Sequence, residues 1–251
     1  MTKPEPGEET FISHLIELRD RLVKASIGIV LVCVGLLVWP GPSRIYDIIA
    51  MPMIASLPVG SKMIATGVIS PFLVPMKVTL VIAFILALPW VLYQLWAFIA
   101  PGLYAHEKRL IAPLVISSSL LFMMGVAFCY FFVFGRVFKF ISEFSPHSIA
   151  VTPDIENYLD FVMSMCLAFG ATFEVPVVVV ILVRMGLVSV AKLKEVRPYA
   201  IVGAFVVAAI VTPPDIVSQF SLALPMCLLF ELGLLVAPVF VRVTQAPEEA
   251  S

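Results

Sequence analysis

The chain has 251 residues, 61% of them hydrophobic and 13% charged, with a formal net charge of −1 and a mean hydropathy of +1.07. A soluble globular chain carries about 25% charged residues, so there is too little polar surface here for a water-soluble domain of this size. A charge this close to zero also excludes a nucleic-acid footprint and an acidic interaction tail.

In chain order, Phe11, Leu15, Leu18 and Leu22 fall at i, i+4, i+7 and i+11 and make one apolar stripe, while Glu17, Arg21 and Lys24 lie on another face. The pattern predicts a cytoplasmic amphipathic helix over 1–21 that leads into the membrane. No cleavable signal peptide is expected, because about twenty polar residues precede the first apolar run and no small-residue cleavage motif follows it. A hydrocarbon core of ~30 Å needs about 20 apolar helical residues. Six segments meet or approach that length: about 22–39, 76–100, 110–138, 158–183, 198–212 and 216–236, with 237–251 as a cytoplasmic tail. All belong to a single membrane domain spanning 1–251. Strand alternation is absent, which argues against a β-barrel.

Lys and Arg set the orientation. With the N-terminus inside, eleven basic residues fall on inner segments and five on outer ones, so both termini are expected in the cytoplasm. The fifth span, 198–212, amounts to roughly 22 Å of helix at 1.5 Å per residue. Glu231 interrupts the sixth run, so both spans are expected to be short and to thin the bilayer locally. The outer segment 40–74 holds Pro40, Pro42, Pro52, Pro58 and Pro71 and reads as an ordered cap. No internal repeat is visible, which leaves a transporter built from inverted repeats with little support.

Several polar residues stand out. Glu17 has two readings: an i,i+4 ion pair with Arg21, or, with Glu107 of the first inner loop, a site for a cationic peptide. Arginine is the natural ligand for such a site, because its planar fork matches carboxylates. Glu174 lies well inside span four, where a carboxylate is costly and by default functional. The alternative is a protonated side chain bonded to a neighbouring helix. Pro176 cannot donate to the Thr172 carbonyl, which leaves an acceptor at the same depth. Asp215 reads as an N-cap of span six. Gln219, one turn further in and close to Thr212, Ser218 and Ser221, calls for a partner helix. Glu231 reads as an interfacial charge at the inner end.

Cys33, Cys129, Cys166 and Cys227 lie in four separate apolar runs without C-x-x-C spacing and read as small buried hydrophobes. His14, His106 and His147 all lie outside the spans. Nucleotide-binding, zinc-protease and serine-hydrolase motifs are absent. No catalytic residue, metal or other cofactor is expected, and the chain does not read as an enzyme. A proton-coupled small-molecule secondary transporter using Glu174 is the alternative, weakened by the missing repeat and by the lack of a second deep charge.

Five stretches together resemble the TatC family, the receptor subunit of the twin-arginine protein translocase: SHLIELRDRL (13–22), ISPFLVPMK (69–77), YQLWAFIAPGLYAHEKR (93–109), AFGATFEVP (168–176) and RPYAIVGAFVVAAIVTPPDIVSQ (197–219). The resemblance implies an all-α protein of the bacterial cytoplasmic (inner) membrane, its six transmembrane helices forming a concave, glove-like bundle with an outer cap. It implies a receptor for the twin-arginine signal peptides of folded cargo. That receptor works with single-span TatA-like and TatB-like partners, self-associates, and is driven by the proton-motive force. By the same resemblance, Glu17, Arg19, Phe98, Leu103 and Glu107 form the signal-recognition face, Glu174 faces the intramembrane groove, Thr212 and Gln219 dock partner helices, and Pro52 and Asp215 serve assembly. The family pattern favours the shared arginine site over the local pair, with the Glu17–Arg21 contact kept in the resting state and opened by peptide. Ala209 departs from the pattern, since some relatives carry a bulkier residue such as Met there.

Overall fold

The computed structural model describes residues 6–55, 57, 62–99, 111–144, 152–212 and 215–245, with side chains from 13 to 238 within those ranges except at 99, 111 and 142–144. The described residues are helical almost throughout. The helices are α1 (Pro6–Val38), α2 (Pro42–Ile54), α3 (Ser70–Ile99), α4 (Ile111–Phe128), α5 (Phe134–Phe144), α6 (Ile155–Phe173), α7 (Val175–Arg184), α8 (Val190–Glu195), α9 (Arg197–Val211) and α10 (Ile216–Gln245), with a π-helical stretch, Cys129–Val133, between α4 and α5. By length and composition, five stretches suffice to cross a membrane: Ser13–Val38, Ser70–Phe98, Ala112–Ile141, Ile155–Arg184 and Ile216–Pro238. The apolar helix α9 is shorter. The protein is an all-α, multi-span membrane protein.

Contacts gather the chain into two units, one of residues 1–42 with 79–119, the other of 43–78 with 120–251. In the first, α1 and α3 run antiparallel. The His14 ring stacks on Phe98 with centroids 4.4 Å apart, and Trp90 Nε1 donates to the Lys24 carbonyl at 2.9 Å. Gly28 makes the seam possible, since a Cβ there would lie 2.3 Å from the Trp90 ring. The amphipathic segment and the first span are one uninterrupted helix. Only 6% of its membrane-length window is buried, against 28–39% for the other four spans.

In the second unit, α4 and α6 meet at glycines. A Cβ on Gly125 would lie 2.5 Å from the Phe169 carbonyl oxygen, and one on Gly170 would lie 2.4 Å from the Phe122 ring. Small residues let membrane helices approach closely enough for dispersion to hold them. Nearby, the π-helical stretch turns Cys129 onto α6, where its thiol and that of Cys166 share a hydrogen bond. Both cysteines are buried, as small hydrophobes would be, and neither forms a disulfide. Phe134, Phe138, Tyr158 and Phe161 pack as an aromatic cluster beside them.

The cap helix α2 shows what Pro52 does. Proline has no N–H to give the carbonyl one turn back, and that carbonyl, Ile48 O, takes the Tyr130 hydroxyl at 2.6 Å instead. Tyr158 donates to the next carbonyl, Ile49 O, at 2.9 Å. The chain beyond the cap helix is tied to the start of α6. Ile64 and Asp154 form an isolated parallel bridge, with Ile64 N to Pro153 O at 3.0 Å and Ile155 N to Ile64 O at 2.9 Å. Asp154 caps α6 through the Glu156 and Asn157 amides and accepts from the Thr66 hydroxyl at 2.8 Å and the Thr66 amide at 3.0 Å. Ser70 donates to Glu156 at 2.9 Å, and Lys77 pairs with Asp160.

Two outcomes follow. Gly125→Val should lower stability by about 1–3 kcal/mol, the range for overpacking, read as a lower thermal midpoint in detergent, because a β-branched side chain would have to enter a backbone carbonyl. Asp154 is held below the ordinary aspartate range by the Thr66 hydroxyl first and then by the Asn157, Thr66 and Glu156 amides. Its folded pKa is depressed, so its stabilisation is complete above the unfolded aspartate value of about 4 and is lost as pH falls through the folded value. The protection of the Ile64 and Thr66 amides from exchange, taken relative to the intrinsic rate at each pH, should therefore fall in acid, and Asp154→Asn should remove that pH dependence.

Candidate functional site

The first candidate lies at the end of the α1–α3 pair. Glu17, with 35% of its side chain exposed, holds Arg21 at 3.4 Å across one helical turn. Arg21 also reaches Gln94 of α3, Nη1 to Oε1 at 3.3 Å. Gln94 is only 3% exposed. Arg19 points elsewhere and pairs with Asp20 at 2.8 Å on the surface. Phe98 belongs to the same end through its stack on His14. Glu17, Arg21, Gln94 and Phe98 thus form one seam. Leu103 and Glu107 lie outside the described residues. Gln94 drew no attention in the sequence, where it is one polar letter in an apolar run. Its signal was that a buried carboxamide in a span requires a partner.

The second candidate is a polar tier in the second unit. Span four breaks at Glu174, between α6 and α7. Pro176 has no N–H for the Thr172 carbonyl, and the Glu174 N–H bonds the Ala171 carbonyl at 3.1 Å. Glu174 is half-buried, with Oε1 fully enclosed. Beside it, Gly233 of α10 seats on Pro176, where a Cβ would lie 3.1 Å from the proline Cα. Val179 and Val183 then pack with Leu234 and Ala237, so α7 and α10 run parallel. Glu231, two residues before Gly233, therefore lies at the depth of Glu174.

Glu231 is not alone there. Arg197, the first residue of α9, donates to it at 2.7 Å, with 43% and 44% of the two side chains exposed. On the same helix, Leu228 is 66% exposed on one side of Glu231 and Leu235 is 71% exposed on the other. Apolar surface continues past the charge in both directions, within a stretch, Ile216–Pro238, that is long and apolar enough to cross a membrane. Glu231 neither breaks nor shortens α10, which runs on for 30 residues. Of the two spans read as short, α9 is, at 15 residues, while Ile216–Pro238 is long enough to cross.

The far end of the α9–α10 hairpin collects Thr212, Asp215 and Gln219. Thr212 is buried and returns its hydroxyl to the Ala208 carbonyl at 2.8 Å. Asp215 caps α10 through the Ser218 amide at 2.7 Å. Gln219 is half-buried one turn on, and Ala209 is exposed. Pro52 stands apart in the cap described above.

A family model described as "Sec-independent protein translocase protein (TatC)" matches residues 13–225. The chain belongs to the TatC family. TatC of Haemophilus influenzae is 49% identical over 229 residues, covering 91% of this chain and 89% of that protein. TatC of Escherichia coli K12 is 47% identical over 241 residues, covering 96% and 93%. A solved structure, "Crystal Structure of Twin Arginine Translocase Receptor- TatC", superposes with a TM-score of 0.77 at 36% identity, over 90% of this chain and 98% of that one. The family model ends at residue 225, whereas the match to the Escherichia coli protein covers 96% of this chain.

The tier can be tested by charge. Arg197→Gln should cost about 1 kcal/mol, a half-exposed pair being worth far less than a buried one, because it leaves Glu231 uncompensated. Adding Glu231→Gln should return most of the loss. Equal and additive losses in thermal stability would mean that the two residues do not act as a pair.

Proposed function

We propose that this chain is the receptor subunit of a twin-arginine translocase, which binds the signal peptides of folded proteins and takes part in their export. One observation carries the reading: Glu17, on the segment where the family match begins, already holds a guanidinium, that of Arg21. A carboxylate that accepts an arginine from its own chain offers the right chemistry for one from a ligand. Arginine pairs of a signal peptide dock on Glu17 and Glu107 through charge-assisted hydrogen bonds of ~1.5–3 kcal/mol each before desolvation. Phe98 and Leu103 supply apolar contact, and Arg19 orders the acidic surface beside them.

The rest of the machinery follows from the same reading. The eleven-to-five distribution of basic residues supports an orientation with both termini in the cytoplasm, in the bacterial inner membrane. The apolar part of the signal passes into the groove that Glu174 faces. Thr212 and Gln219 receive single-span TatA-like and TatB-like helices, for which polar groups in a span are the natural adhesive. Pro52 and Asp215 keep the cap and the hairpin in shape for assembly, and receptor subunits self-associate. The proton-motive force drives transport, and no step requires a catalytic residue or cofactor. The alternative of a small-molecule transporter gains nothing from the matches, which are to protein translocases.

Charge reversal is the direct test. Glu17→Lys with Glu107→Lys should abolish photocrosslinking to a twin-arginine signal peptide while the protein still inserts and folds in the membrane. Undiminished crosslinking would sink the assignment.

A further inference from the structure

Arg21 sits where a ligand arginine has to go. Its two terminal nitrogens lie 3.4 Å from Glu17 Oε1 and 3.3 Å from Gln94 Oε1. Charge-assisted hydrogen bonds close to about 2.7–2.9 Å when they are fully made. The guanidinium is therefore divided between two acceptors and committed to neither. The acceptors differ in kind. Glu17 is charged, partly exposed and on Arg21's own helix, whereas Gln94 is neutral, buried and on the facing helix.

We propose that Arg21 is a resident competitor for the Glu17 carboxylate, and that Gln94 is the acceptor to which it withdraws when a ligand guanidinium takes Glu17. The proposal rests on the reading of Glu17 as the signal-peptide site. A cation in a half-buried seam needs an acceptor in every state it visits. With Gln94 present, Arg21 can leave Glu17 without being stranded. The other groups nearby are otherwise engaged: Arg19 is on Asp20, and the Lys24 carbonyl is bonded to Trp90.

The consequence is quantitative. Only the fraction of receptor with Glu17 free binds ligand, so the apparent affinity is reduced by that fraction. For an i,i+4 pair of this exposure the reduction is about two- to threefold. It applies equally to any cation that must occupy Glu17, so Arg21 sets the strength of binding and not its selectivity. It also gives the site a way to empty, because a departing signal is replaced by Arg21 and the carboxylate is never left bare.

The test uses the full-length protein in lipid nanodiscs, a fluorescent twin-arginine signal peptide and its Lys-Lys counterpart. Arg21→Gln should tighten both peptides by about two- to threefold with their ratio unchanged. Lys24→Gln removes the same charge one turn away and should change binding less. Gln94→Met keeps the side-chain volume, removes the acceptor and should weaken binding by a similar factor. Placed in the Arg21→Gln background, Gln94→Met should have no effect on binding. A loss in both backgrounds would make Gln94 a packing residue and overturn the proposal. So would an Arg21→Gln variant that binds no better than Lys24→Gln, or one that alters the ratio of the two peptides. Glu17→Gln in the same assay separates the two readings: if it abolishes binding while Arg21→Gln brings no gain, only the competition fails, and if it leaves binding intact, the receptor site itself is misassigned.

Discussion

A polar group in hydrocarbon has no water to fall back on, so it must bring its partner with it. The features that set this protein apart from a plain bundle of apolar helices are answers to that constraint. Pro52 deprives Ile48 of a backbone donor, and Tyr130 supplies one from the π-helical stretch. Pro176 does the same to Thr172, and span four breaks at Glu174, whose amide bonds Ala171. Glu231 is met by Arg197. The first and last of these join one helix to another, so the polar minority of the chain helps determine where the apolar majority sits.

The short helix α9 begins at an arginine bound to a glutamate partway along α10, and the Gly233–Pro176 contact sets that glutamate level with Glu174. Three ionisable side chains thus share one depth in the second unit. The connection between α7 and α9 lies beyond that depth, with Leu193 of α8 buried against Val179, Val183, Leu234 and Ala237. A tier of charge with apolar surface on both sides is a place where lipid is poorly accommodated and a polar segment of another chain is welcome.

Much of this was legible in the sequence, and what was not has a common physical reason. Long apolar runs declare helices because length and hydropathy are local properties, and the turn at Asp215 declares its cap for the same reason. Pairings between distant residues are not local. Arg21 and Gln94 are 73 positions apart, Lys77 and Asp160 are 83 apart, and Arg197 and Glu231 are 34 apart. Glu231 reads in the sequence as a lone charge, because its partner Arg197 is on another helix. Gln94 was passed over because one amide in an apolar run reveals nothing of the arginine facing it.

The role of Glu17 joins these threads, since its cation is divided with a second acceptor and so can be exchanged. The most direct measurement is a structure of the full-length protein in lipid with a twin-arginine signal peptide bound. Glu17 should carry a peptide guanidinium, and Arg21 should have closed on Gln94 to a normal hydrogen-bond distance of about 2.9 Å. A bound peptide whose arginines lie elsewhere while Arg21 remains on Glu17 would contradict both the site and the exchange.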